Sequence, residues 1–246
     1  MKIKEVIQII TDFAPMELSL EGDNIGIQVG NDVEREVYKI GIALDPSMSV
    51  IKKSIDLNVD FLFTHHPILK DKINNFNGLI YDKLRLLIKN DIFHYSAHTN
   101  LDICNGGLND ALCELYGLND IKPLYENGLG RYGEFKGTID EIISITKKFI
   151  CNTPTVINRE IVENKKSLVV GVLSGYGLSQ KNIEYVSHLC DVYISGDLTH
   201  HSKILSEDLG LCVIDGGHYG TEVYGLKKFM NYLKSKLDLD IVSLDF

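Results

Sequence analysis

Seven of the chain's eight histidines fall in two stretches, residues 65–98 and 200–218, and only His188 lies outside them. Clustered imidazoles with carboxylates close by are the donor chemistry of divalent-metal sites. The first cluster is Thr64-His65-His66-Pro67, where the proline stops a regular strand ladder directly after two imidazoles. Neighbouring side chains diverge, so His65 and His66 suit contact with two cations better than chelation of one. The second cluster runs from Ser96 through His98 to Asp102, and the third from Asp215 through Gly216, Gly217 and His218 to Glu222. Paired glycines permit a tight turn with positive φ at the entry to a helix. If that helix begins near His218, Glu222 lies four residues on and shares its face, so the pair supplies one nitrogen and one oxygen ligand.

Each cluster taken alone has a plainer explanation. His-His-Pro reads equally as a surface loop, His98 as a hydrogen-bonded core histidine, Asp102 as the cap of the helix that follows, and His218 with Glu222 as a solvated helix face. Their common placement at strand ends favours the metal reading. His200 and His201 sit a few residues past a strand end, beyond Gly196 and Asp197, and fit groups that line a cleft or orient a ligand. Ser174-Gly175-Tyr176-Gly177 is a glycine turn suited to holding an anion at a helix N-terminus, but it lacks a P-loop lysine and a dinucleotide fingerprint. There is no Gly-x-Ser-x-Gly elbow, and the five cysteines form no Cys-x-x-Cys pair, which fits reduced thiols and disfavours a zinc ribbon.

The elements that must position these groups alternate between helix and strand. Ile3, Val6, Ile7 and Ile10 predict an amphipathic helix over 3–12, ended by Pro15. Strands over 38–44, 60–64 and 92–97 then alternate with helices over 47–57 and 79–89, the order of βαβ units around a mainly parallel sheet. The order recurs, with Gly41 and Asp60 of the first copy matched by Gly171 and Asp191 of the second, and with each copy ending in a histidine segment. The expectation is therefore an α/β fold of two related three-layer domains, 1–125 and 126–246, with the glycine-bearing stretch 119–132 as linker and the C-terminal segment free to pack on the first domain.

The 246 residues, 44% of them apolar, can bury one large or two modest cores, which excludes a mainly disordered chain. A net charge of −9 disfavours general binding to nucleic acid or anionic lipid. The opening MKIKEVIQIITDFAP carries Glu5 and Asp12 within its short apolar run and does not read as a secretion signal. No window approaches the roughly 18 apolar residues of a membrane span, so a cytoplasmic location is expected.

Asp23-Asn24-Ile25-Gly26-Ile27-Gln28-Val29-Gly30, Thr64-His65-His66-Pro67, His98 to Asp102, Gly106-Gly107, Ser195-Gly196-Asp197 and Asp215-Gly216-Gly217-His218 with Glu222 resemble the GTP cyclohydrolase 1 type 2 homologue family of Nif3-like proteins, in order over nearly the whole chain. The resemblance implies two divalent metals in the cleft between the two domains, held by His65, His66, Asp102, His218 and Glu222, with Glu222 as the bridge, and a toroidal homohexamer. Two departures bear on the shape of the substrate pocket: Gly22 stands where the family often has Trp, and Ser174-Gly175-Tyr176-Gly177 where it has Gly-Gly-Ser-Gly. The function expected is that of a dinuclear metal-dependent hydrolase that uses activated water, with His98 as general acid/base or orienting group. A GTP substrate would be opened at C8 of the purine with loss of formate. Zinc, manganese, iron and nickel all suit such ligands. The rival reading is a metal-binding scaffold without turnover, and a ring that encircles nucleic acid ranks last because of the charge.

Overall fold

The computed structural model describes residues 1–246. In chain order its elements are α1 (Ile3–Phe13), β1 (Gly26–Val29), β2 (Lys39–Ala43), α2 (Met48–Asp56), β3 (Phe61–Thr64), α3 (Gly78–Lys89), β4 (Phe93–Ser96), α4 (Thr99–Ile103), α5 (Leu108–Tyr116), β5 (Asn119–Pro123), β6 (Arg131–Lys136), α6 (Ile139–Phe149), β7 (Thr155–Ile157), β8 (Ser167–Tyr176), α7 (Gln180–Ser187), β9 (Val192–Gly196), α8 (His200–Leu209), β10 (Cys212–Asp215), α9 (His218–Lys236) and β11 (Asp240–Ser243). They divide into unit 1, Met1–Asn105 with Leu226–Phe246, and unit 2, Gly106–Gly225.

Unit 1 is built on a five-stranded sheet of order β1-β4-β3-β2-β11. Its strands are parallel except β1, which pairs antiparallel with β4 at one edge. Every residue of β3 and β4 is buried, as central parallel strands covered on both faces must be. Alternation along β3 divides the core: Leu62 joins Ala43, Ile51, Leu87 and Leu244 on one side. Phe61 stacks on Phe93, and Phe63 meets Phe229 of α9. Ser47 caps α2 by accepting from the backbone of Val50.

Unit 2 carries a six-stranded sheet of order β5-β6-β8-β9-β10-β7. Its centre, β8-β9-β10, is parallel, and antiparallel strands close both sides. Val170, Val172, Val192, Ile194, Cys212 and Ile214 face one apolar layer, while Tyr193 and Val213 between them face the other. The stretch 119–132, read from its glycines as a linker, is the start of a β-hairpin whose strands pair Asn119 with Glu134 and Pro123 with Arg131. Its glycines serve the turn between paired strands. Both sheets thus carry a parallel centre flanked by helices, the α/β architecture that the sequence implies.

The internal repeat extends to individual hydrogen bonds. The backbone N–H of Asp60 donates to Lys39 O at 3.0 Å and that of Asp191 to Val169 O at 2.8 Å. Each aspartate carboxylate also accepts from the start of the preceding strand, Asp60 from Lys39 N and Asp191 from Val169 N, both at 2.8 Å. No helix is long and apolar enough to cross a membrane.

Candidate metal centre

In both units the polar groups gather where parallel strands end, the edge at which α/β sheets hold their ligands. In unit 1, β3 delivers His65 and His66, and β4 delivers His98 at the N-cap of α4 with Asp102 in its first turn. Ligand atoms of His65, His66 and His98 all lie within 4.8 Å of one another. The expected divergence of His65 and His66 is not realised. Beyond Thr64 the chain stays bonded to the end of β2, through His65 N to Ala43 O and His66 N to Leu44 O, and the two rings sit 5.1 Å apart. His65 and Asp102 are both buried, with Nε2 and Oδ2 3.7 Å apart.

In unit 2, β10 turns through Gly216 and Gly217 into α9. Gly217 takes φ +80, the left-handed conformation that the sequence called for. His218 therefore opens α9, and its Nε2 stands 3.2 Å from Oε2 of the buried Glu222. The end of β8 closes on this pair: a Cβ at Gly175, whose φ is +70, would stand 2.1 Å from Glu222 Oε1 and 3.1 Å from His218 Nε2. That packing answers the anion-cradle reading of Ser174 to Gly177. Ser174 N donates to Asn109 Oδ1, Gly175 N to Thr221 Oγ1 and Gly177 N to Gly175 O, so these amides serve the fold.

The decisive pattern is what each imidazole does with Nδ1. His65 Nδ1 donates to Ala97 O at 2.9 Å, His66 Nδ1 to Asp45 Oδ1 at 2.8 Å, His98 Nδ1 to Asp23 Oδ1 at 2.8 Å and His218 Nδ1 to Asp197 Oδ2 at 2.6 Å. A carbonyl or carboxylate oxygen accepts only, so each Nδ1 carries a proton, and a ring in its neutral form has its lone pair on Nε2. Metal-ligating histidines are oriented in this way. The carboxylates make further bonds of their own: Asp23 Oδ2 accepts from both the N–H and the hydroxyl of Thr99. Partial burial opposes ionisation of Asp23, but the bonds from His98 and Thr99 prevail and hold its carboxyl down to about 2.

The donor set fits a divalent cation. The hydrogen bond to Glu222 lifts His218, against the opposing effect of burial and with help from Asp197, to about 9. Metal binding at this pair therefore competes with a proton. The thiols stand apart, since burial pushes Cys113, Cys190 and Cys212 up to about 12. His200 and His201 are exposed on the first turn of α8.

The sequence profile of the Duf34/NIF3 (NGG1p interacting factor 3) family matches residues 1–246. The chain belongs to the Duf34/NIF3 family. A GTP cyclohydrolase 1 type 2 homolog of Methanocaldococcus jannaschii is 62% identical over 247 residues, covering 100% of both chains, and one from Clostridium perfringens is 35% identical over 98% of this chain and 94% of its own. The structure of reduced HcgD from Methanocaldococcus jannaschii superposes with a TM-score of 0.97 at 61% identity, covering 100% of this chain and 98% of that one. TTHA1606 from Thermus thermophilus shares the fold, with a TM-score of 0.84 at 24% identity over 100% of this chain and 98% of its own.

Within this Duf34/NIF3 chain the sequence reading finds the imidazoles but misses the role of the three carboxylates that orient them, Asp23, Asp45 and Asp197. Asp45 follows β2 and Asp197 follows β9, each beside glycine, serine or proline in what reads as ordinary turn sequence. The available signal was positional: Asp45 lies just past β2 and Asp197 directly past β9, each beside a strand that leads into a histidine. Asp197 holds φ +64, an uncommon conformation for a residue with a side chain.

Proposed function

We propose that this chain is a metal-dependent hydrolase in which His65, His66 and Asp102 of unit 1, together with His218 and Glu222 of unit 2, hold two divalent cations, with Glu222 as the bridging carboxylate. The observation that carries the reading is the use of Nδ1 in His65, His66, His98 and His218, which leaves Nε2 as the coordinating atom of each ring. A pair of divalent cations supplies Lewis-acid polarisation and acidifies water toward neutral pH. His98 moves the proton: Asp23 fixes its Nδ1–H, and Nε2 takes a proton from a reacting group or returns one. The names of the curated relatives point to GTP, and hydrolytic opening of its imidazole ring with loss of formate is the matching reaction class. Imidazole with carboxylate accommodates zinc, manganese, iron or nickel.

Elemental analysis of protein purified without added metal, joined to a panel of nucleotides and phosphoesters, tests the reading. Glu222→Ala is expected to lose bound metal and turnover together, and turnover that persists without metal overturns the hydrolase. Manganese-loaded protein should show exchange-coupled ion pairs by electron paramagnetic resonance, and the same variant should abolish the coupling. A metal-binding scaffold is the second reading. It is favoured by the engagement of the 174–177 amides within the fold, which removes one candidate phosphate cradle. Metal-loaded protein that gives no product across the panel supports it.

A further inference from the structure

Unit 1 contains a cleft of about 590 Å³ formed by Gly22–Asn24 on one side and the loop 69–76 on the other. Its volume is that of a small-molecule site. Three features of the wall are specific. Asp23 lines it, and the same carboxylate accepts from His98 Nδ1, so an occupant of the cleft is one side chain away from an imidazole of the three-histidine group. Lys70 and Lys72 line it as well, exposed and outside every ion pair of the chain, with Asp71 the only other charged group besides Asp23. Phe76, 62% exposed, lines it too, and Leu69 and Ile73 add apolar surface. The loop is tied to the opposite wall where Asn24 Nδ2 donates to Leu69 O at 2.8 Å.

An uncovered aromatic ring lining the same cleft as two unengaged ammonium groups is complementary to a flat ring that carries an anionic group, since the ring stacks on phenylalanine and the anion meets lysine. Both ammoniums stand out in a chain whose net charge is −9. We propose that this cleft is the ligand-holding subsite of the metal centre and that it takes a phosphate-bearing planar heteroaromatic, with the ring on Phe76 and the phosphate on Lys70 and Lys72. The inference rests on the metal-centre reading only for what the ligand is held against. The cleft itself is made of residues outside the proposed ligand set.

The test is direct binding, with AMP, GMP, adenosine and inorganic pyrophosphate as probes, measured by calorimetry on the full chain with metal and after chelation. AMP or GMP should bind in both states. The double charge reversal Lys70→Glu with Lys72→Glu should weaken the nucleotides and pyrophosphate at least tenfold while leaving adenosine and the metal content unchanged. Phe76→Ala should weaken nucleotides and adenosine but spare pyrophosphate. Both variants alter exposed side chains, and an unchanged melting temperature verifies their fold. Absence of nucleotide binding at millimolar concentration, or binding indifferent to both variants, overturns the proposal. Failure of metal binding with these responses intact overturns the metal centre and leaves the cleft standing.

Discussion

At the scale of single residues, what distinguishes this site is the set of oxygen atoms behind the imidazoles. Asp45 is exposed, yet it fixes the ring of His66 through one 2.8 Å bond. Asp45→Ala should therefore weaken metal binding roughly 10- to 100-fold, the usual cost of losing such a partner. Competition against a chelating dye measures it, with Asp45→Asn, which keeps an acceptor oxygen, expected to recover part of the loss. An unchanged affinity in the alanine variant rules out the role. His94 sits in the same strand as the site and does something different. Thr64 donates its hydroxyl to His66 O, so the hydroxyl oxygen accepts from His94 Nε2–H, and the buried Nδ1 has no hydrogen-bond partner. Burial, helped by the charge of Lys83, holds this imidazole down to about 3. Between the unfolded value of about 6.5 and that of the fold, only the unfolded chain takes up the proton. Stability should fall with decreasing pH across that window by up to about 1.4 kcal/mol per pH unit, and His94→Gln should remove this part of the slope. Urea titrations of both proteins at pH 7 and pH 5, metal-free, provide the comparison, and equal slopes refute it. In the sequence, His94 and His98 look alike as members of one histidine-bearing stretch. Their difference is created by depth, which neighbouring letters do not encode.

At the scale of elements, the end of β8 and the turn into α9 depend on two glycines for separate reasons. Gly217 holds φ +80 with nothing within 4 Å of an added Cβ, whereas Gly175 holds φ +70 with Glu222 in the space that a Cβ would take. Gly217→Ala should cost only the left-handed strain, roughly 1–2 kcal/mol, and keep its metal. Gly175→Ala should lose metal as well, because the Glu222 carboxylate must move. Thermal melts paired with metal analysis separate the two, and retention of full metal by Gly175→Ala would falsify the packing argument. The positions of α1 to α3 and β2 to β4 were legible because buried parallel strands and amphipathic helices write their periods into the chain, whereas the edge strands β1 and β11 were not read. Residues 3–12, 47–57 and 79–89 correspond to α1, α2 and α3 to within a residue or so. The hairpin of β5 and β6 was not legible, since β5 is exposed throughout and Gly128, Gly130 and Gly133 resemble a linker. An exposed edge strand has no burial pattern to read.

At the scale of the whole molecule, the repeat is the organising fact. In each unit the third parallel strand is followed by a histidine and, four residues on, a carboxylate: His98 with Asp102, and His218 with Glu222. The sequence shows this spacing but not the sheet order that gives it meaning, and the domain boundary it offers near residue 125 follows composition, whereas the compact units meet the chain at Asn105/Gly106 and Gly225/Leu226. The last strand has a temporal consequence. β11 completes the sheet of unit 1 beside β2, and Asp245 just beyond it accepts from Leu44 N, next to the aspartate that holds His66. Everything in unit 2 leaves the ribosome before that strand does, a delay on the order of ten seconds at ordinary elongation rates. During that interval the nascent first half has an unfinished sheet edge, so maturation of its imidazole cluster must await the arrival of the final segment.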